Sequence, residues 1–364
     1  MELLKTLITS SEKAANIARL LRHNDKLFQK LIEQKPIEEA NPRFQEDFKT
    51  LADVLIQAMV KHDVGQKFPS MGERVYGEES NHFFSKKLNK ELIVEVKCNS
   101  IDTALMLAEL LNDDREIANI LAEEIHKDVS IEEINTKILP DETISFDLEQ
   151  LSIWIDPIDG TNEYIRGGYD EKIENVYPKG LKCVTVLIGV YNSEGHPVMG
   201  LINQPFFEQR IDEGFQCHWG VCSHENGCTK RLSSLEISPE RKKSVVICTG
   251  GTEDIKILET LRKSGFKLIT ACGAGYKLLT VILGVSDAYI LSKGTTYLWD
   301  TCGPHAILLA LGGGIVEMAG IKSNQRNDLK YKEPENSKCN KLGIIAYRNT
   351  EVLEKLLQLP WDNY

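Results

Sequence analysis

Absent from this chain is any apolar run of the roughly 20 residues that a membrane crossing needs, and the N-terminal stretch has no Lys/Arg cluster leading into an apolar segment, the pattern that opens a secretory signal. Cytoplasmic residence without a membrane partner is the expectation. Positive charge is in deficit: 54 acidic residues outnumber 43 basic ones, for a formal net charge of -11. That balance argues against a nucleic-acid polymer as partner, although a few local cations or metal ions suffice to bring an anion into one cleft. The nine cysteines are odd in number and lack the rhythm of a disulfide framework, which fits a reducing compartment. Cys217, His218, Cys222, His224 and Cys228 lie close together but form neither a Cys-x-x-Cys knuckle nor a paired-His helix. Free thiols beside a loop are therefore expected there rather than structural zinc.

What is present is an ordinary globular composition, 42% hydrophobic and 27% charged, which excludes disorder and the membrane class. At 364 residues the chain can bury a substantial core in two domains or one large one. Residues 2–33 carry apolar side chains at helical spacing, with Ser10 or Ser11 placed to cap a second segment, and Pro36 to Pro42 reads as a loop. A second helix is expected from about Arg43 to His62, with Phe48, Leu51, Leu55 and Met59 on its inner stripe and Asp53 off it, solvated. A strand at 92–96 and helices near 102–111 and 116–126 follow. Strands at 183–191 and 198–203 form a hairpin across Asn192-Ser193-Glu194-Gly195. From Ser244 onward apolar strands alternate with helices, the α/β pattern. An α+β part over residues 1–240 and an α/β part over 241–364 are expected, with the boundary near 240.

Chemistry concentrates in Leu151-Ser152-Ile153-Trp154-Ile155 followed by Asp156-Pro157-Ile158-Asp159-Gly160-Thr161. The first five residues read as a buried strand. Pro157 keeps Asp156 extended, Gly160 permits a tight turn, and Thr161 or Asn162 caps a helix. Two carboxylates set this close repel by about 4 kcal/mol at ~4 Å in an effective dielectric of ~20. With no Lys or Arg in the turn, either both are solvated on the surface or a hard divalent cation compensates them.

Other segments carry similar alternatives. Val75-Tyr76-Gly77-Glu78-Glu79 is a short strand whose alternation sends one glutamate toward a site and the other behind it, or else an acidic turn. Gly273-Ala274-Gly275 before a helix containing Lys277 is either an anion site at a helix N-terminus or close helix packing. Asp300, after Trp299, is an N-cap or a ligand. His305 reads as a packed helix histidine outside any site.

Taken jointly and in this order, Asp53, Gly77-Glu78-Glu79-Ser80, Asp156-Pro157-Ile158-Asp159-Gly160-Thr161 and Trp299-Asp300 resemble the signature of the inositol monophosphatase superfamily of metal-dependent, lithium-sensitive phosphomonoesterases. The runs Ser11 to Arg19, Asp47 to Leu55, Tyr76 to Asn81 and Gly273 to Lys277 resemble its branch acting on inositol polyphosphates, whereas Gly160 is closer to the nucleotidase and monophosphatase pattern. The resemblance implies a layered αβαβα sandwich of the inositol monophosphatase and fructose bisphosphatase type. It implies removal of the 1-phosphate from inositol 1,4-bisphosphate and inositol 1,3,4-trisphosphate by metal-activated water in a monomer. The alternatives are a 3′(2′),5′-bisphosphate nucleotidase and a non-catalytic sensor of a phosphorylated ligand or metal.

The resemblance further implies two or three Mg²⁺ ions held by Asp156, Glu78, the Ile158 carbonyl, Asp159, Asp300 and Asp53, with Li⁺ and Ca²⁺ as inhibitors. Thr161, with Asp53 or Glu79 behind it, is implied as the group that orients and deprotonates water. Gly160, Thr161, Gly273, Ala274 and Lys277 are implied to hold substrate, with Lys277 on a second, unreacting phosphate.

Overall fold

The structure is a computed structural model that describes residues 1–23, 28–35, 48–85, 88–137, 139, 144–207, 216–225, 228–236, 244–323, 326–332 and 337–361. The loop expected at 36–42, residues 43–47 of the second helix and the boundary near 240 lie outside the described residues. No helix among those described is long and apolar enough to cross a membrane.

The chain opens with α1 (Glu2–His23), then β1 (Ile32–Gln34) paired antiparallel with β2 (Phe48–Thr50), then α2 (Leu51–Lys67). Helix α1 is unbroken where a second segment was expected. Ser11 Oγ donates to the Ile8 carbonyl at 2.7 Å and Ser10 Oγ to Asp63 at 2.9 Å, so these hydroxyls bond within or across the helix and cap nothing. The second helix likewise begins at Leu51, because Phe48–Thr50 is extended against β1. Asp53, expected in solvent, is buried at its third position, and its carboxylate accepts from the Thr50 amide and hydroxyl at 2.7 and 2.6 Å.

Next come β3 (Val75–Gly77), the hairpin β4 (His82–Ser85) and β5 (Lys90–Ile93), and α3 (Ser100–Leu110) and α4 (Arg115–His126). The strand expected at 92–96 thus ends at Ile93. Then follow β6 (Leu151–Asp159), α5 (Thr161–Arg166), β7 (Thr185–Asn192), β8 (Pro197–Asn203), β9 (Cys217–Glu225) and β10 (Cys228–Ser233). One sheet has the order β10-β9-β8-β7-β6-β3, antiparallel except where β3 runs parallel to β6. The remainder alternates: β11 (Val246–Thr249), α6 (Ile255–Lys263), β12 (Lys267–Thr270), α7 (Ala274–Ile282), β13 (Ala288–Leu291), α8 (Leu298–Ala310), β14 (Gly314–Glu317), β15 (Ile344–Tyr347) and α9 (Thr350–Leu357). Its sheet has the order β12-β11-β13-β15-β14, with β12, β11 and β13 parallel and β15 antiparallel to both its neighbours.

Strand alternation explains the stacking. Ile153 and Ile155 of β6 join the core of α1 and α2, whereas Trp154 joins α7, α8 and the inner face of the second sheet at Tyr289, Ile344 and Ala346. The other face of that sheet, Ile290 and Ile345, packs on α6 and α9. The layers therefore run α, β, α, β, α. Helix α8 lies unusually close to the first sheet because Gly189, Gly200 and Gly220 stand side by side on β7, β8 and β9. A Cβ on Gly220 would fall 2.7 Å from Ile307 Cα, and one on the facing Gly303 of α8 would fall 2.5 Å from the Ile188 carbonyl. This furrow sets the height of α8, and so of Asp300 in its first turn.

Candidate metal centre

Asp156 and Asp159 are three residues apart, which in a regular strand would put them on opposite faces. Instead, β6 continues past the end expected at Ile155 and bulges: Asp156 pairs with Leu187 but Asp159 with Thr185, so one residue is extra on the β6 side. The bulge turns Ile158 into the α1/α2 core with Ile153 and Ile155 and leaves both aspartates facing the central layer. Gly160, at φ +84°, then reverses the chain into α5. Asp300 arrives from α8, where its carboxylate accepts from the Tyr297 amide at 2.5 Å. One oxygen each of Asp156, Asp159 and Asp300 lie within 4.8 Å of one another, and all three side chains are buried.

The three carboxylates share a cavity of about 360 Å³ with Glu78, Gly160, Thr161, Gly273, Ala274 and Lys277. The cavity opens at the carboxyl ends of β11, β12 and β13, where ligands of such sheets bind. Glu78 follows β3, and its amide donates to the Ile155 carbonyl at 3.3 Å, which sets it beside Asp156. Glu79 lies behind, its backbone clamped by the Gln57 side chain. Both glutamates converge on one buried ammonium, Lys35 Nζ, at 2.5 and 2.6 Å, where the sequence suggested that one faces a site and the other stands behind it. Lys35, Gln57 and the Asp159 partner Thr185 had no local signal; only the pairing of distant strands reveals them.

Two expected substrate contacts look different in the structure. The anion at the N-terminus of α7 is Asp159 itself, whose oxygens accept from the Ala274 amide at 3.1 Å and the Gly275 amide at 2.9 Å, and from Thr185 Oγ1 at 3.2 Å. Lys277 is 1% exposed, with its ammonium 5.3 Å from the Tyr289 ring centroid. Thr161 Oγ1 donates to the Ile158 carbonyl at 3.1 Å, so the hydroxyl implied for water faces the carbonyl implied for metal. His305 is buried, its Nδ1 3.0 Å from the Tyr331 hydroxyl, outside the cavity as expected. The Cys217–Cys228 stretch spreads along β9 and β10, and among the described residues only the aspartate triad has metal-ligand spacing.

Burial pushes Asp156 and Asp300 well above the ordinary carboxylate range, and the surrounding carboxylates add to it. Burial also raises Asp159 to about 6, against the Lys277 charge and the α7 amides, and Asp53 to about 7, against its Thr50 bonds. Glu79 rises to about 8 for the same reason, opposed by Lys35. No cation pairs with Asp156 or Asp300 among the described residues, and Asp53 Oδ1 is buried without a hydrogen-bond partner. An all-oxygen set of buried, mutually repelling carboxylates with an orphaned acceptor beside it fits hard divalent cations.

The profile of the Inositol monophosphatase family matches residues 104–358. The chain belongs to that family. As a member of the inositol monophosphatase family it is 39% identical over 386 residues to the inositol polyphosphate 1-phosphatase of Mus musculus, covering 98% of this chain and 96% of that one. It is 27% identical over 316 residues to the Homo sapiens 3′(2′),5′-bisphosphate nucleotidase 1, covering 82% and 79%. The solved extragenic suppressor protein suhB of Bartonella henselae shares the fold, with a TM-score of 0.54 at 14% identity over 98% of each chain.

Proposed function

We propose that this member of the family is a Mg²⁺-dependent phosphoric monoester hydrolase that removes the 1-phosphate from inositol polyphosphates such as inositol 1,4-bisphosphate and inositol 1,3,4-trisphosphate. The reading is carried by three buried carboxylates from two distant segments, β6 and α8, within 4.8 Å, of which Asp156 and Asp300 have no paired cation among the described residues, in a chain 39% identical over 98% of its length to an inositol polyphosphate 1-phosphatase. Asp156, Asp159, Asp300, Glu78 and the Ile158 carbonyl are the ligands for two ions, and Asp53 with Glu78 supports a third. Bound Mg²⁺ supplies charge neutralisation of the phosphoryl oxygens and acidifies the attacking water.

The chain's own residues do the rest. Gly160 and Thr161 place their amides at the cavity wall to meet phosphoryl oxygens. Thr161 orients the water through its hydroxyl, and Asp53 or Glu79 takes the proton, each being a buried carboxylate raised toward neutrality. Asp159, held by the α7 amides, ties the α+β part we assign to residues 1–240 to the α/β part we assign to 241–364, so that ligands from both parts stay in register. We further assign inhibition by Li⁺ and Ca²⁺, a monomeric state and a cytoplasmic location.

Gly160 favours the second reading, hydrolysis of a 3′(2′),5′-bisphosphate nucleotide. Against it, the two aromatics at the cavity, Tyr297 and Trp299, stack on each other at 4.7 Å with an interplanar angle of 1°, so each has one face already covered. Parallel assays of inositol 1,4-bisphosphate, inositol 1-phosphate and adenosine 3′,5′-bisphosphate with Mg²⁺ decide the matter. The highest kcat/KM on the first supports the proposal, and a preference for the nucleotide overturns it.

A further inference from the structure

Asp300 takes its position from the turn before α8, because its carboxylate accepts from the Tyr297 amide. Like charge strains that turn, since oxygens of Asp156 and Asp159 within 4.8 Å of Asp300 repel it when ionised. A segment remote in sequence fastens it. Residues 338–341, just before β15, run along residues 294–298: the Lys338 carbonyl accepts from the Leu298 amide at 2.9 Å, Cys339 Sγ donates to the Gly294 carbonyl at 3.1 Å, and the Asn340 amide donates to the Thr296 carbonyl at 2.8 Å. A Cβ on Gly294 would fall 2.7 Å from Lys341 Cα, so the two stretches touch. The buried side chain of Asn340 makes the densest set of bonds. Its Nδ2 donates to the Tyr297 carbonyl at 3.0 Å, to Thr296 Oγ1 at 3.2 Å and to Thr301 Oγ1 at 3.3 Å. Thr301 Oγ1 donates to the same Tyr297 carbonyl at 3.1 Å. Tyr297 is thus gripped at its carbonyl by Asn340 and Thr301 while its amide holds Asp300.

We propose that Asn340 is a positioning residue for the metal centre, acting through Tyr297 on Asp300. The inference rests on the hydrolase reading above and assigns part of the affinity for Mg²⁺ to a side chain outside the cavity, since Asn340 is not among the residues that line it. Asparagine suits the task. It brings two N–H donors and no charge, whereas a Lys or Arg in its place would offset the Asp300 carboxylate and compete with the cation, and an aspartate would offer no donor when ionised. Without the grip on Tyr297, repulsion from Asp156 and Asp159 moves Asp300 outward in the metal-free protein, and each Mg²⁺ that binds must bring it back. Groups that orient metal ligands carry about 10- to 100-fold of the metal affinity. Asn340 acts at one remove from the ligand, which puts its share at the lower end.

The test follows Mg²⁺ binding to chelator-stripped protein by calorimetry in wild type, Asn340→Ala, Asn340→Ser and Thr301→Val, with phosphate release from inositol 1,4-bisphosphate measured over the same Mg²⁺ range. Asn340→Ala is expected to raise the Mg²⁺ Kd, and the Mg²⁺ concentration at half-maximal release, about tenfold, while KM for inositol 1,4-bisphosphate at saturating Mg²⁺ moves by less than about twofold. Asn340→Ser keeps one donor and should fall between Asn340→Ala and wild type. Thr301→Val keeps its shape but removes the second grip on the Tyr297 carbonyl, and should raise the Kd about threefold. A merely structural role lowers Tm and leaves the Mg²⁺ midpoints where they are. A wild-type Kd in a folded Asn340→Ala overturns the assignment of Asn340 while leaving the hydrolase reading intact; should that variant not fold, a wild-type Kd in Thr301→Val overturns it equally. Failure of the wild type both to bind Mg²⁺ and to release phosphate defeats the hydrolase reading itself and this inference with it.

Discussion

Replacing Asp300 by asparagine separates a metal site from an ordinary helix cap, because the two roles respond with opposite signs. The Asn side chain keeps an oxygen for the Tyr297 amide, so the first turn of α8 retains its cap. What disappears is a charge within 4.8 Å of Asp156 and Asp159. At that distance each like-charge pair costs about 3 kcal/mol in an effective dielectric of ~20, a cost partly relieved because burial raises the Asp300 pKa. Asp300→Asn should therefore stabilise the metal-free protein by about 2 kcal/mol, seen as a Tm about 3 °C higher in chelator. With Mg²⁺ the order reverses. Wild type gains about 2.7 kcal/mol at a hundredfold excess over Kd, whereas the variant gains little and loses most phosphate release. Thermal denaturation in chelator and in MgCl₂ measures both. A variant less stable than wild type in chelator, yet equally stabilised by Mg²⁺, would refute the reasoning and leave Asp300 a cap.

Two further outcomes follow from the same geometry. Asp159 at about 6, Asp53 at about 7 and Glu79 at about 8 all lie above their unfolded values of 3.8, 3.8 and 4.5. These three groups therefore hold more protons in the metal-free native state than in the unfolded one between roughly pH 4 and 8, so their contribution to stability is fullest below pH 4 and lost as pH rises through those folded values. Added Mg²⁺ should oppose that loss, its stabilisation growing with pH as these carboxylates ionise; an Mg²⁺-induced rise in Tm that shrinks from pH 5 to 8 would contradict it. Gly200→Ala should destabilise by about 3 kcal/mol, since its Cβ would collide with the Gly303 backbone and lift α8 off the sheet. A denaturation curve matching wild type would show that α8 does not depend on the furrow.

Much of the carboxylate cluster was legible in the sequence because its members sit next to strong local signals. Asp156 follows the apolar run Leu151 to Ile155, Glu78 follows a Val-Tyr-Gly strand, and Asp300 lies in the first turn of a helix, so each could be placed near a strand or a helix start without tertiary information. What a local pattern could not carry was pairing. The bulge that turns Asp159 to the side of Asp156 depends on the register with β7, and Thr185 matters only through that register. Asp53 looked solvated because helical periodicity places it beside the apolar stripe; it is instead buried, bonded to Thr50 in a capping box and within reach of the Glu78 and Lys35 charges. The Gly-Ala-Gly turn before α7 read as an anion site or as close helix packing, and nothing local showed that its amides meet a side chain of this chain, Asp159. The α/β alternation after residue 244 was plain, whereas the furrow of Gly189, Gly200 and Gly220 needed the strand order to bring three scattered glycines side by side.

The most direct measurement is phosphate release from inositol 1,4-bisphosphate by protein stripped with chelator, as MgCl₂ is returned. Release is predicted to be absent in chelator, to reappear with Mg²⁺, and to stay absent in Asp156→Asn at every Mg²⁺ concentration. Release that persists in chelator, or that Asp156→Asn leaves at the wild-type rate, would contradict the assignment of these carboxylates to a metal-dependent phosphatase.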